Sequence, residues 1–134
     1  KFTNGSIKNP GLFTFTKSLN AGKKNKDYYK GKVVILTNEI SQSSAEFHAM
    51  AYRVNPNATV IGSTTAGADG NISRFILPGG ISTMISGIGV YYPDGKEIQR
   101  IGIVPDIEVK PTIEGIKAKK DEVMEKAIEI INKD

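Results

Sequence analysis

Two short runs of β-branched residues frame the middle of the chain, residues 32–37 (Lys-Val-Val-Ile-Leu-Thr) and 58–62 (Ala-Thr-Val-Ile-Gly). A run that is apolar at nearly every position predicts a strand buried on both faces, as in a parallel sheet. Between them, over 43–55, Phe47, Met50, Ala51 and Val54 recur at helical spacing, and Ala45, Ala49 and Tyr52 widen the stripe. Pro56 biases Asn55 away from helical dihedrals, so the helix should end there. The three elements form a β-α-β unit whose right-handed crossover makes the two strands parallel.

The flanks are less regular. Residues 1–31 are loop-like, punctuated by Gly5, Pro10, Gly11, Gly22 and Gly31, with one strand candidate at 12–16 and an exposed Lys-rich loop at 23–27. Downstream, strand candidates fall at 73–77, 81–85, 90–92 and 97–99. The last two are joined as a hairpin by Pro93-Asp94-Gly95. Residues 106–109 are a final short strand candidate after Pro105. The pattern at 121–133 predicts a C-terminal docking helix capped by Asp121, with Val123, Met124, Ala127, Ile128, Ile130 and Ile131 on its buried side. Glu122 with Lys126 and Glu129 with Lys133 are its expected i,i+4 pairs. The fold class read from this pattern is α/β, a mixed sheet around a β-α-β core.

At 134 residues, 39% of them apolar, the chain suits a single domain over 1–134. No apolar run approaches the ~20 residues of a membrane span, and no leader pattern opens the sequence, so it reads as soluble. The absence of cysteine excludes disulfides and thiolate metal sites, and no metal or cofactor is expected. The first 32 residues hold eight lysines against one acidic residue, Asp27, while the remainder is net acidic. That arm lacks an arginine fork and an aromatic platform, so a nucleic-acid partner is not expected. The chain begins at Lys1, and the expectation is a C-terminal fragment of a longer protein.

Chemistry concentrates where the first buried strand hands over to the helix. Residues 37–46 read Thr-Asn-Glu-Ile-Ser-Gln-Ser-Ser-Ala-Glu. In an open parallel sheet, ligands bind beyond the carboxyl ends of the strands, where helix N-termini also point. The second strand runs into a glycine-hinged turn, Thr64-Thr65-Ala66-Gly67-Ala68-Asp69-Gly70-Asn71. Neighbouring strands lie ~4.8 Å apart, so both loops should wall one cleft. Ser43 has two readings there. Ser43-Ser44-Ala45-Glu46 matches a capping box, in which the serine oxygen and the glutamate each satisfy an amide. The same helix terminus offers free amides and a positive dipole end to a developing oxyanion, with Ser43 as nucleophile and the Ser44 amide as donor.

Asn38-Glu39-Ile40-Ser41-Gln42-Ser43-Ser44-Ala45-Glu46 resembles the N-x-x-[ST]-A-S-A-S-E segment of the tail-specific, or C-terminal processing, serine peptidases, relatives of the tricorn core protease. Three further blocks are similar to that family's in the same order: Val60-Ile61-Gly62-Ser63-Thr64-Thr65-Ala66-Gly67, Tyr91-Tyr92-Pro93-Asp94-Gly95 and Gly102-Ile103-Val104-Pro105-Asp106-Ile107-Glu108-Val109. The resemblance implies a Clp-protease/crotonase-like α/β fold and attack on peptide or protein substrates. It also implies Ser43 as nucleophile, Glu46 in a capping or orienting role, and a cleft lined by Ser41, Glu46, Thr65, Gly67, Ala68, Asp69 and Gln99. A periplasmic or secreted setting follows from it as well.

The chain departs from the family pattern at the general base. A serine hydroxyl is a poor nucleophile until a base takes its proton. Tail-specific members carry a lysine where this chain has Ala68. Tricorn-like members use an upstream histidine and a glutamate where this chain has Gln99. The sole histidine, His48, lies five helical residues from Ser43, ~7.5 Å along the axis and ~140° around it, so it should point elsewhere. Asp69 sits where a carboxylate approaches Ser43, although Ala-Asp-Gly is also ordinary turn chemistry. The resulting expectation is a serine endopeptidase domain whose base and second oxyanion donor come from outside this chain, so that the isolated chain is inactive. A catalytically inactive peptide-binding relative is the alternative.

Overall fold

The computed structural model describes residues 3–5, 13–17 and 22–133. Leu12, the start of the first predicted strand, lies outside the described residues, as do Lys1, Lys8, Pro10 and Gly11. The chain opens with two short antiparallel strands, β1 (Thr3–Gly5) and β2 (Phe13–Phe15). Then come β3 (Val33–Thr37), α1 (Ser44–Arg53) and β4 (Ala58–Gly62). An antiparallel ribbon follows, β5 (Asn71–Leu77) and β6 (Ile81–Ile88), then β7 (Ile107–Glu108), α2 (Ile113–Lys117) and α3 (Glu122–Asn132). The architecture is mixed α/β.

The central sheet has the order β3-β4-β7, all parallel. Its register pairs Ile35 with Val60 and Thr37 with Gly62. Ile35 and Val60 face α1, where Ala49, Met50, Val90, Ile98 and Ile103 complete the main core and Phe47 and Tyr92 pack at its margin. Ile61, one residue on and therefore on the opposite face, is also fully buried. The α3 helix, which packs on β3 and β4, buries Ala127.

Four expectations change in the folded chain. The first strand is not buried on both faces: Leu36 is exposed and Val33, Val34 and Ile35 are half-buried, because β3 is the edge of its sheet. The predicted hairpin of 90–92 with 97–99 reduces to one bridge between Tyr91 and Glu97. Ile98 turns its carbonyl to the amides of Ile101 and Gly102, at 3.1 and 2.7 Å, so no ladder can extend past it. The stripe of α1 is narrower than expected, with Ala45, Tyr52 and Val54 at the surface. On α3 only Ala127, with half-buried Val123 and Ile130, faces inward, while Met124, Ile128 and Ile131 form a parallel stripe that is exposed. Of its two expected ion pairs, Glu129 with Lys133 forms and Glu122 with Lys126 does not. Glu122 accepts from the Thr112 hydroxyl and amide, both at 2.6 Å, and Lys126 reaches Glu129 at 2.7 Å, as does Lys133.

Candidate active site

The three serines that follow β3 are sorted by their partners. Ser41 closes the turn that ends the strand: its hydroxyl donates to Asn38 Oδ1 at 2.9 Å and accepts from the Asn38 amide at 3.1 Å. Ser44 sits beside His48, whose Nδ1 lies 2.6 Å from the Ser44 carbonyl and 3.3 Å from its hydroxyl. A carbonyl only accepts, so Nδ1 carries the proton and is spent on it. His48 therefore serves its own helix, between Phe47 and Tyr52, and does not reach Ser43. Ser43 is exposed at the helix N-cap.

Ser43 is also where the backbone is most unusual. Its dihedrals are φ 54° and ψ −120°, a region that L side chains rarely occupy and that costs on the order of 1–3 kcal/mol to hold. The glutamate half of the capping box supplies the hold: the Ser43 amide donates to Glu46 Oε2 at 3.0 Å. The serine half is looser, since the hydroxyl approaches the Glu46 amide without completing a normal cap hydrogen bond. Ser43 is thus exposed at the first turn of α1, where the Ser44 amide has no intrahelical acceptor.

Glu46 does more than cap. It is 0% exposed and receives four donors: the Ser43 amide, the Thr65 hydroxyl, the Gly67 amide at 2.7 Å and the Ala68 amide at 2.9 Å. Thr65 passes the connection on, its hydroxyl accepting from the Ile103 amide at 2.7 Å. The Ala66 amide adds a direct bond to the Ser41 carbonyl at 2.9 Å. The serine loop and the turn after β4 are therefore one hydrogen-bonded unit. Glycine is required where that unit is tightest. Gly62 has φ 124°, and a Cβ there would lie 1.9 Å from the Thr37 carbonyl oxygen. Gly67 has φ 67° and would press a Cβ to 3.0 Å from the backbone of Arg100 and Ile101.

A groove of about 240 Å³ opens beside the strained serine, lined by Ser43, Ser44, Phe47, Asp69, Asn71 and Val90. Of the expected cleft-lining residues, Asp69 lines it. Glu46, Thr65 and Gly67 are buried in the turn's framework, and Ser41 and Ala68 contribute backbone bonds to that framework. The half-buried Gln99 side chain rests against Gly70, next to Asp69. Burial pushes the Asp69 carboxyl above its ordinary value of 3.8; the Gly70 amide opposes that shift and the Glu46 charge adds to it. Asn71 ends the turn that was expected to wall the cleft, whereas Phe47 and Val90 were not expected at the site, because the sequence pattern marks them only as helix and strand positions. Among the described residues no group of histidine, aspartate and glutamate is arranged to hold a metal ion.

A larger cleft of about 570 Å³ lies at the other end of α1, lined by Arg53, Tyr92, Asp94, Lys96, Glu97, Ile101, Gly102 and Val104. Arg53 pairs with Asp106 and donates to the Val104 carbonyl at 2.6 Å, while Asp106 Oδ2 accepts the Val60 amide at 2.8 Å. Asp106 thus prolongs the edge of β4 and locks it to the end of α1. Burial raises the Tyr92 hydroxyl above its usual range, against the pull of Arg53.

Residues 6–109 match the description of peptidase family S41. A protein of Chlamydia trachomatis is 30% identical over 114 residues, 79% of this chain and 19% of that protein. A candidate peptidase from Parabacteroides merdae shares 26% identity at a TM-score of 0.83, over 98% of this chain and 42% of that one. Mature CPAF complexed with lactacystin shares 28% identity at a TM-score of 0.64, over 77% of this chain and 21% of that one. The tricorn protease, at 20% identity and a TM-score of 0.65, shares the fold over 84% of this chain and 12% of its own. The chain spans about a fifth of the length of its curated relative and less than half of these solved structures. With more than two-thirds of its length inside the matched family, the chain belongs to peptidase family S41.

Proposed function

We propose that this chain is the nucleophile-bearing part of a serine endopeptidase, with Ser43 as the attacking residue. The observation that carries the proposal is the strained, exposed conformation of Ser43 at the N-terminus of α1. A sharp strand-to-helix turn that holds a serine outward at an energetic cost is the arrangement an activated hydroxyl needs, and a plain helix cap needs none of it. In the proposed reaction Ser43 Oγ adds to the scissile carbonyl carbon while a base removes its proton. The Ser44 amide holds the oxyanion, the base returns the proton to the departing amine, and water hydrolyses the acyl-enzyme ester. Family membership supports peptide or protein substrates, taken as extended segments beside the sheet.

Among the described residues, no lysine or histidine lines the groove. The base and the second oxyanion donor are accordingly assigned to segments outside those described, within a longer catalytic domain of Clp-protease/crotonase-like fold. Export to the periplasm or cell exterior is part of the same proposal. No helix among the described residues is long and apolar enough to cross a membrane. The same absence of a base favours a second reading, a peptide-binding relative in which Ser43 stays unreactive. Peptide turnover separates the two. The full-length protein should cleave unstructured peptides and lose that activity on Ser43→Ala, while the isolated chain should cleave none. Turnover by the isolated chain, abolished by Ser43→Ala, would contradict the assignment of the base.

A further inference from the structure

The groove beside Ser43 holds one charge that the proposed chemistry does not use. Asp69 is 5% exposed. Its Oδ1 accepts the Gly70 amide at 2.8 Å, and among the described residues its Oδ2 has no hydrogen-bond partner. The neighbouring carboxylate, Glu46, offers no relief, since it is itself engaged by four donors and adds repulsion. Among the described residues, no lysine, arginine or histidine lines the groove. A buried carboxylate oxygen left unpaired is costly, and an arriving cation with N–H donors removes that cost.

The groove's shape narrows the choice of cation. At about 240 Å³ it falls below the ~300–1,000 Å³ of a small-molecule site and suits a single side chain. Phe47 and Val90 offer apolar walls, and Asn71 and Asp69 offer polar groups. An aliphatic stem ending in a charged head matches that combination: methylenes against Phe47 and Val90, the head near Asp69. The turn fixes the carboxylate from both sides, because the Ala68 amide is held by Glu46 and the Gly70 amide by Asp69 itself.

We propose that this groove is a subsite for a basic substrate side chain, lysine or arginine, held by Asp69 beside Ser43. The inference rests on the peptidase reading for the word substrate, but its test does not require turnover. In the full-length protein carrying Ser43→Ala, binding of peptides that differ at one position, lysine, norleucine or glutamate, is measured by calorimetry. The lysine peptide should bind 10- to 100-fold tighter than the norleucine peptide and the glutamate peptide weakest. Adding Asp69→Asn should bring the lysine and norleucine affinities within about threefold. The carboxyl carbon resonance of Asp69 should move with lysine peptide and stay fixed with norleucine peptide, a readout that needs no folded Asp69 variant.

Equal affinities for lysine and norleucine, or a lysine preference that survives Asp69→Asn with an unmoved carboxyl resonance, would overturn the subsite. If the protein with Ser43 intact cleaves peptides while lysine and norleucine bind alike, the subsite falls and the peptidase reading stands. If the lysine preference holds but nothing is cleaved, the subsite stands as a binding groove and the peptidase reading falls.

Discussion

The Glu46 carboxylate accepts the Ser43 amide hydrogen at 3.0 Å from a fully buried position one helical turn away. That bond joins the exposed serine to the turn after β4, since the same carboxylate holds the Thr65 hydroxyl and the Gly67 and Ala68 amides. Glu46→Ala should strand three or four buried donors at once. A loss of ~3–5 kcal/mol is expected, in line with removing one partner of a buried charged network. Urea unfolding measures it, and a loss below ~1 kcal/mol would mean that the turn does not depend on this residue.

The backbone of Ser43 makes a second prediction, of opposite sign. Glycine occupies positive φ freely, so Ser43→Gly should relieve the φ 54° strain and stabilise the protein by ~1 kcal/mol, while Ser43→Ala should change stability by less than ~0.5 kcal/mol. Thermal unfolding of the two variants checks this. Destabilisation by Ser43→Gly would show that the conformation carries no strain.

Asp69 gives a pH-dependent prediction. Its carboxyl titrates above 3.8 in the folded chain, chiefly because burial disfavours the charged form. The folded protein therefore holds that proton more tightly than the unfolded chain. The group's stabilising contribution is complete below pH 3.8 and is lost as pH rises through the folded value. Asp69→Asn removes the buried charge, so it should raise Tm at pH 7, and the gain should fade as pH falls through the folded value and be gone below about 4. An unchanged Tm at pH 7 would place a partner on the free oxygen.

Gly62 offers the sharpest steric test. A Cβ at 1.9 Å from the Thr37 carbonyl oxygen, on a residue with φ 124°, would force β4 from β3 just before the turn that holds the site. Gly62→Ala should cost more than ~3 kcal/mol, read from the denaturation midpoint. A near-neutral result would contradict the close approach.

Much of this was legible in the residues, for identifiable reasons. The two β-branched runs and the helix between them are local patterns, and β3, α1 and β4 fall where those patterns lie. The Asp121 cap was equally local, with its carboxylate accepting the Met124 amide at 2.9 Å. The short helix α2 was not legible, because five residues carry too little periodicity; it is held by Thr112, which caps it through the Gly115 amide at 2.9 Å and anchors to Glu122. The exposed stripe of Met124, Ile128 and Ile131 misled for a related reason, since apolar spacing shows where a face lies and not whether anything covers it. Glu46 was legible as a cap. Its burial and its grip on Gly67 and Ala68 depend on contacts about twenty residues away in sequence, which no local pattern encodes.

The central claim is that the Ser43 hydroxyl is a nucleophile. Incubating the full-length protein with a fluorophosphonate probe and locating the adduct by peptide mass spectrometry tests it directly. One residue, Ser43, should be phosphonylated, with no labelling after Ser43→Ala or heat denaturation. Labelling at Ser41 or Ser44, or none in a protein shown to be folded, would contradict it.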